Sequence, residues 1–273
     1  MTVRYAEIDE VISFIHQHIY DPLPLARLAR HVDYSPYHFT RIFKERIGLS
    51  PLYYVSSLRL QKAKELLLRT GLSVRDVGLE IGQQSLGTFT TRFTERVGMT
   101  PSEFRSAPPQ TNEHVRSLQE LDNWREPEYW GADGSAVIEG AVGSAVPFDG
   151  FALVGLFAKP IPEGFPLYGT LVAAGTSFRL TGVKPGTYYL MATSISWGMQ
   201  ALDILLPEMT LRTRAHRPLI VYPYAPVPYQ QVTLHPPRPD DPPILVSLPL
   251  LMNRFLERVR SARESEPRKY SHT

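Results

Sequence analysis

The sequence contains no cysteine among its 273 residues, so it can form neither disulfide bonds nor thiolate metal sites. It also lacks a long apolar run: stretches such as residues 245–252 fall well short of the roughly 20 residues that a membrane helix needs. The first residues have no apolar core of the kind that marks a signal peptide. We therefore expect a cytoplasmic protein with no membrane partner.

The sequence also lacks a strong excess of charge of either sign. The net charge is +2, from 29 basic and 27 acidic residues, and residues 1–106 are only slightly more basic than the rest. A strong basic excess would have indicated nucleic acid as the partner, and a balanced charge decides nothing. The length and the 43% content of hydrophobic residues predict two domains, each with its own core.

The sequence does contain one element twice, fifty positions apart. SPYHFTRIFKERIGLSPLYY begins at Ser35, and SLGTFTTRFTERVGMTPSEF begins at Ser85. A repeat of this kind indicates one structural unit used twice. The identical pairs are Ser35/Ser85, Phe39/Phe89, Thr40/Thr90, Phe43/Phe93, Glu45/Glu95, Arg46/Arg96, Gly48/Gly98 and Pro51/Pro101.

Each copy predicts a helix, a tight turn and a second helix. Ser35 and Ser85 suit the N-cap of the second helix, because a serine hydroxyl accepts an unpaired backbone N–H there. Two phenylalanines at i and i+4 then face the core, and a glycine ends the helix. The apolar residues of the preceding helices are Leu25, Leu28, Ala29 and Val32 in the first copy and Val74, Val77, Gly78 and Ile81 in the second.

This layout is typical of a helix-turn-helix, whose second helix enters the major groove of DNA. In the first copy, Arg41 can donate two hydrogen bonds to guanine, and Tyr37 and Thr40 can reach base edges. Lys44 and Arg46 are better placed for phosphate. The exposed positions of this helix are predicted to be Tyr37, His38, Thr40, Arg41, Lys44 and Glu45.

The two copies are joined by residues 51–69, which have helical spacing of apolar residues. Nineteen residues of helix span about 28 Å, close to one turn of DNA at about 34 Å. A stiff connecting helix would place two recognition helices in successive major grooves. One chain could then recognise an asymmetric site without a second subunit.

Residues 5–106 resemble the DNA-binding domain of the AraC/XylS family, which has seven helices and two helix-turn-helix units. The resemblance rests on LARLARHVDYSPYHFTRIFKERIGLSP, RLQKAKELL and IGQQSLGTFTTRFTERVGMTPSEFR, and it covers somewhat over a third of the chain. It implies double-stranded DNA as a partner and RNA polymerase as a further one. The base contacts that it implies are Tyr37, Thr40 and Arg41 in the first unit and Leu86, Gly87, Thr88, Thr90 and Thr91 in the second.

With the two capping serines, His38 and Lys44, the predicted DNA-binding set is Ser35, Tyr37, His38, Thr40, Arg41, Lys44, Ser85, Leu86, Gly87, Thr88, Thr90 and Thr91. The second copy departs from the family pattern, with Thr91 in place of Arg, Thr94 in place of Lys and Gln83 in place of an aromatic residue. Arg92 is one position away from the usual Arg, on what should be the inward side. We expect the first unit to supply most of the base recognition.

The second half changes character. Residues 107–130 are predicted to be a linker, polar up to Glu113, with a short helix over 114–126. Residues 131–236 contain short β-branched and aromatic runs separated by turn signals, which predict a small antiparallel β-sandwich. One stretch, SFRLTGVKPGTYYLMA, resembles carboxypeptidase-regulatory or transthyretin-like sandwiches. The predicted fold class is therefore multidomain: an all-α N-terminal domain with two helix-turn-helix units, and a mainly-β C-terminal domain.

Residues 237–273 are predicted to form a proline-rich loop, a helix and a polar, disordered tail after Arg260. The run PPRPDDPP excludes regular helix or central strand. The helix carries one apolar stripe, formed by Leu248, Leu251, Met252, Phe255 and Val259. Docking on the chain's own domains is favoured over a dimer contact, and both remain open.

Sites for catalysis are not indicated. The sequence has no Gly-rich phosphate loop or nucleophile elbow, and Asp240-Asp241 is expected to be a solvated loop rather than an acid–base pair. We expect no enzyme activity, no metal and no cofactor. A set of aromatic residues could line a ligand pocket, although a core role is favoured: Tyr188, Tyr189, Trp197, Tyr222, Tyr224 and Tyr229.

Taken together, the residues favour a sequence-specific DNA-binding transcription regulator. Its β-rich half would respond to an unknown small-molecule or protein effector. The alternative is an enzyme, or a carbohydrate- or peptide-binding β-domain, tethered to DNA.

Overall fold

The computed structural model describes residues 6–121, 135–213 and 217–265. Its first part is helical, as the sequence predicts, and the Phe39/Phe43 and Phe89/Phe93 pairs are fully buried in its core. The helices are α1 (Ala6–Gln17), α2 (Leu25–His31), α3 (Pro36–Ile47), α4 (Pro51–Arg69), α5 (Val74–Glu80), α6 (Leu86–Val97), α7 (Pro101–Arg105) and α8 (Pro108–Gln119).

The second part is rich in strands, as its short β-branched and aromatic runs predict. The strands are β1 (Ala136–Ser144), β2 (Gly150–Phe157), β3 (Tyr168–Ala173), β4 (Ser177–Val183), β5 (Gly186–Ser196), β6 (Arg212–Thr213), β7 (Leu219–Val221) and β8 (Gln230–Leu234). Two further helices are α9 (Ala201–Leu205) and α10 (Leu248–Ser265). The short β6 was not predicted, because a strand of two residues is too short to show an alternation of apolar and polar side chains.

The strands form two sheets. One has the order β4-β1-β8 and the other β3-β2-β5-β6, with β7 also pairing with β5. The prediction that all strands pair antiparallel is wrong, because β1 and β8 run parallel. A parallel pair needs a long connection, and the whole of β2 to β7 lies between these two strands. The stretch that suggested a known sandwich type is divided between the sheets, since β4 and β5 belong to different ones.

The five-stranded sheet is covered on both faces. On one side an apolar core separates it from the three-stranded sheet. On the other side it packs against α8, α9 and α10. Every residue of β2 is buried, which explains its continuous apolar run GFALVGLF. Met252 and Phe255 of α10 are fully buried in this second core, so the stripe of the C-terminal helix docks on the chain's own sheet.

Two predicted irregular segments are helical. Pro108 and Pro109 begin α8 and do not lie in a linker. Proline is well suited to the first turn of a helix, because the N–H groups there have no partner within the helix. The end of the predicted 114–126 helix lies outside the described residues. Likewise α10 continues past Arg260 to Ser265, where a disordered tail was expected. Among the described residues, every helix is too short or too polar to cross a membrane.

Candidate DNA-binding surface

Both predicted helix-turn-helix units are present and share one turn geometry. In the first, Asp33 has a φ of 55° and the Tyr34 N–H donates to the Ala29 carbonyl at 2.9 Å. In the second, Gly82 has a φ of 79° and the Gln83 N–H donates to the Gly78 carbonyl at 2.8 Å. The turns therefore reverse the chain in the same way although the second is one residue longer.

Small residues allow the two helices of each unit to cross closely. Ala29 and Gly78 are both buried. A Cβ added to Gly78 would lie 3.1 Å from the Phe89 ring, which is a tight contact. The phenylalanines of α3 and α6 thus pack directly over the preceding helix, and this packing fixes the angle of each recognition helix.

The capping residues are confirmed at both ends of the recognition helices. Ser35 Oγ accepts the His38 N–H at 3.3 Å, and Ser85 Oγ accepts the Thr88 N–H at 3.4 Å. Gly48 and Gly98 end the helices with φ values of 84° and 95°, a left-handed conformation that favours glycine. The two serines of the predicted DNA-binding set are therefore N-caps, with their hydroxyls at the N-terminal ends of α3 and α6.

The outer face of α3 presents an aromatic and basic surface. Tyr37 is 82% exposed, and Arg41 and Lys44 are exposed as well. His38 is half-buried, lies edge-on to Tyr34 and has its Nδ1 3.4 Å from a nitrogen of Arg41. Thr40 is half-buried and its hydroxyl donates to the Pro36 carbonyl at 2.8 Å. Three long side chains thus project from this helix, with Thr40 set back from them.

The outer face of α6 is mainly small and uncharged. Leu86, Gly87, Thr88 and Thr91 are exposed, and Thr90 is half-buried. A Cβ at Gly87 would meet no atom other than Ser85 Oγ within 4 Å, at 3.9 Å. This face presents methyl and hydroxyl groups where α3 presents cations.

The side chain of Arg92 is not where the sequence predicts it. It was predicted to point inward, but it is exposed and donates to Gln83 Oε1 at 3.4 Å. Gln83, in place of the family's aromatic residue, accepts this bond. The second unit therefore has a cation on its surface, one position from the place that the family pattern gives.

Arg46 and Arg96, identical in the repeat, both form ion pairs with acids of the second half of the chain. Arg46 was expected near phosphate, but its guanidinium pairs with Asp240 at 3.0 Å and with Asp9 at 3.9 Å. Arg96 is buried and pairs with Glu163 at 2.6 Å. Both arginines thus attach the end of a recognition helix to the second half of the chain.

The Arg96 pair belongs to a buried network. Glu163 also accepts hydrogen bonds from the Tyr53 hydroxyl and, at 3.0 Å, from Lys159 Nζ. The Arg96 guanidinium further donates to Ser57 Oγ at 2.5 Å and stacks over the Tyr53 ring. Burial acts to raise the pKa of Glu163, but the Tyr53 hydrogen bond and the nearby cations outweigh it and leave that pKa below its usual value. Glu163 therefore stays ionised and holds the network together.

Backbone contacts complete the attachment at α6. The Gly164 N–H donates to the Arg96 carbonyl at 2.6 Å, and the Ser247 N–H donates to the Val97 carbonyl at 2.9 Å. The last carbonyls of a helix have no partner within it. In α6, the second half of the chain provides donors for the carbonyls of Arg96 and Val97.

The connecting helix α4 contributes a buried cation to the same junction. Lys64 is fully buried, and its Nζ donates to the carbonyls of Ile244 at 3.0 Å and Leu245 at 3.4 Å. Burial lowers the pKa of Lys64 to about 7, against the opposing effect of Glu208 and Glu65. Sequence patterns could not have found these partners, because Lys64 and Ile244 are 180 positions apart.

Other predictions from the sequence are confirmed in some cases and wrong in others. Asp240 is nearly buried in its pair with Arg46, so the solvated loop predicted for Asp240-Asp241 is wrong. Tyr188 is buried as core, whereas Tyr222, Tyr224 and Tyr229 are exposed. Within the part of the chain that the structure describes, no three His, Asp or Glu side chains cluster as metal ligands.

Comparison with known proteins finds similarity to helix-turn-helix proteins. Residues 28–107 match the model of a helix-turn-helix domain. The chain is 35% identical over 95 residues to the uncharacterized HTH-type transcriptional regulator YobQ of Bacillus subtilis, covering 35% of this chain and 39% of YobQ. It is 31% identical over 98 residues to the bifunctional transcriptional activator/DNA repair enzyme AdaA of the same organism, covering 36% of this chain and 46% of AdaA.

Among solved structures, a transcriptional regulator from Chromobacterium violaceum with an AraC-type DNA-binding domain matches at 30% identity. The TM-score is 0.36, and the match covers 37% of this chain and 91% of that one. The chain thus spans less than half the length of the two curated relatives, and the family model matches residues of the helical part.

Proposed function

We propose that this chain, whose residues 28–107 match a helix-turn-helix domain, is a sequence-specific regulator of transcription with a DNA-binding domain of the AraC/XylS type. One observation carries the proposal. Two recognition helices with the same caps and the same core phenylalanines flank one continuous 19-residue helix, and their outer faces are exposed. That arrangement suits two successive major grooves of one duplex.

The contacts would differ between the grooves. In the first, Arg41 would donate to guanine, with Tyr37 and Thr40 beside it and Lys44 on phosphate. In the second, the threonines of α6 and Leu86 would pack on thymine methyl groups, and Arg92 would reach the backbone. Phosphate contacts would fix the register while base contacts select the sequence.

The second half of the chain would modulate this binding. Its support is the junction itself, since Asp240 and Glu163 hold the ends of α3 and α6. The proposal divides the chain into a DNA-binding domain (1–106), a connecting segment (107–130), a β-rich domain of sandwich type (131–236) and a C-terminal segment (237–273). AdaA carries a DNA repair activity in its name; for this chain we propose binding without catalysis, in the cytoplasm, with RNA polymerase as a further partner.

The test is selection of binding sites from random duplex DNA by the full chain, followed by footprinting. We expect an asymmetric site with two protected stretches about one helical turn apart, on one face of the duplex. Affinity should fall steeply as salt rises, because phosphate contacts release counterions. A single protected stretch, or an affinity that does not change with salt, would contradict the proposal.

A further inference from the structure

The N-terminal end of α6 carries a glycine that the packing of the described residues does not require. Gly87 is the second residue of the helix and is exposed. Its φ lies outside the left-handed region, so other residues can adopt the same backbone conformation. A Cβ added there would lie 3.9 Å from Ser85 Oγ, an ordinary van der Waals contact. Apart from its chain neighbours and its own helix backbone, it would meet no other atom of the described residues within 4 Å.

Glycine is a costly choice at such a position. Its backbone loses more conformational freedom on helix formation than that of alanine. Gly78 has a reason within the fold, because a Cβ there would lie 3.1 Å from the Phe89 ring. Gly87 has no neighbour of that kind among the described residues. What its missing side chain provides is a close approach of the α6 backbone to a partner outside the chain.

The equivalent position of α3 holds a tyrosine. Tyr37 corresponds to Gly87 in the repeat and is 82% exposed. A side chain of that size separates the backbone of α3 from the base edges, whereas Gly87 leaves the backbone of α6 uncovered. In two successive major grooves, α6 can therefore lie deeper than α3.

The side chains around Gly87 are apolar or carry one hydroxyl. Leu86 is 49% exposed although it is a large apolar residue, and Thr88 and Thr91 are exposed as well. The apolar group that a base pair presents in the major groove is the C5-methyl group of thymine. Leu86 can pack against that methyl group and can form no hydrogen bond to a base with its side chain.

Hydrogen bonds from the threonines do not separate thymine from cytosine. A hydroxyl both donates and accepts, so Thr88 or Thr91 fits the O4 acceptor of thymine as well as the N4 donor of cytosine. The feature that this surface distinguishes is then the methyl group at C5. In 5-methylcytosine, a methyl group occupies the same position of the ring as in thymine.

We propose that the second recognition helix recognises the C5-methyl groups of pyrimidines at close range. Thymine and 5-methylcytosine are then equivalent in its half-site, and unmethylated cytosine is disfavoured. Methylation of a cytosine would strengthen a binding site without any change in the order of bases. The inference rests on the proposed function, and it names the class of DNA that one of the two units selects.

The first step of the test identifies the half-site that α6 contacts. The chain has no cysteine, so Gln84→Cys introduces a single thiol at an exposed position just before α6. An iron chelate attached to this thiol cleaves the DNA nearest to it. The protected stretch that is cleaved is the α6 half-site.

The second step replaces thymines of the α6 half-site one at a time, with the full chain as the binding protein. Deoxyuridine, which lacks only the methyl group, should weaken binding about 4-fold at a contacted position. Cytosine should weaken binding at least as much, and 5-methylcytosine should restore it to within about 2-fold of thymine. Deoxyuridine placed between the two protected stretches is the matched control and should leave the affinity unchanged.

The third step separates the approach to DNA from the stability of the fold. Gly87→Ala should leave the midpoint of thermal unfolding unchanged or raise it by about 2 °C, because alanine favours a helix. The same change should weaken binding to the selected site about 10-fold. Gly198→Ala is the matched control, since Gly198 is exposed in the β-rich half and a Cβ there would meet none of the described atoms within 4 Å.

A second variant tests the methyl contact directly. Leu86→Asn replaces the exposed apolar side chain with a polar one, and the preference for thymine over deoxyuridine should then fall from about 4-fold to about 1-fold. An unchanged preference would overturn the assignment of Leu86.

Three further results would overturn the inference: equal affinities for thymine and deoxyuridine throughout the α6 half-site, 5-methylcytosine that binds no better than cytosine, or Gly87→Ala that binds as tightly as the wild type. In each case, two protected stretches on one face of the duplex would still support the proposed function. A chain that selects no DNA site would instead contradict the proposed function itself.

Discussion

The two helix-turn-helix units share a scaffold and differ in what lies on either side of it. Each has a small residue at the helix crossing, a serine N-cap, two buried phenylalanines and a terminal glycine. Their outer faces differ, because Arg41 and Lys44 of α3 correspond to Thr91 and Thr94 of α6. Their contacts to the β-rich half differ as well, and here the second unit has more of them than the first.

The attachment of the second unit is the stronger one. The Arg46–Asp240 pair keeps 27% and 12% of its side-chain surfaces exposed, whereas the Arg96–Glu163 pair keeps 11% and 9% and has further partners in Tyr53 and Lys159. The first unit thus carries most of the groups that can recognise bases, and the second carries most of the contacts to the β-rich half. Recognition and attachment are divided between two copies of one fold.

The largest expected effect is on the attachment. Arg96→Ala should lower the free energy of unfolding by about 3 kcal/mol, because it leaves a buried carboxylate without its closest cation. Arg46→Ala should cost about 1 kcal/mol, since that pair is more exposed. Urea unfolding of both variants measures the difference, and equal losses would contradict the division between the units.

The next effect is on recognition. Arg41→Ala should abolish specific binding to the selected site, with a loss of about 2 kcal/mol or more, because a bidentate contact to guanine is removed. Thr91→Ala, at the equivalent position of α6, should cost less than about 0.5 kcal/mol. Both affinities are measured by fluorescence anisotropy on one duplex at fixed salt. Comparable losses would show that the two units recognise bases equally.

A third prediction concerns the buried cation between the units. The pKa of Lys64 is about 7 in the folded protein and has its ordinary, higher value when unfolded, so between these two values the unfolded state binds one more proton. The contribution of Lys64 to the free energy of unfolding must then rise with pH, by about 1 kcal/mol from pH 7 to pH 8.

The check is Lys64→Met, which removes the titrating group and keeps much of its length. Unfolding free energies of both proteins are compared over that range of pH. The wild type should gain stability relative to the variant as the pH rises, and parallel curves would show that the ammonium does not titrate there.

The smallest expected difference is in the shared scaffold. Ser35→Ala and Ser85→Ala should each lower stability by about 1 kcal/mol, because each removes one N-cap hydrogen bond of similar length. Thermal unfolding at one pH measures both. A cost confined to one serine would mean that the caps, too, have diverged.

Local signals predicted the elements well. The capped helices follow from Ser35, Ser85 and the phenylalanine spacing, and the strand segments follow from short apolar runs between turn residues. These features are set by neighbours a few positions apart, which a single sequence displays directly.

The junction could not be predicted in the same way. Arg96 and Glu163 are 67 positions apart, and a repeat suggests a common role for identical residues without naming their partners. Arg46 was assigned to phosphate from its place on the helix, because its partner Asp240 is remote in sequence. The parallel pairing of β1 with β8 was missed because the two strands are remote in sequence and each alternates like an ordinary antiparallel strand.

The partners of the carbonyls that end α6 lie much later in the chain. During synthesis, the DNA-binding half leaves the ribosome before Gly164 and Ser247 have been made. Until then, the last turn of the second recognition helix and the ammonium of Lys64 lack their partners from the β-rich half. A nascent or prematurely truncated chain would therefore leave these carbonyls, and the Arg46 side chain that pairs with Asp240, to water.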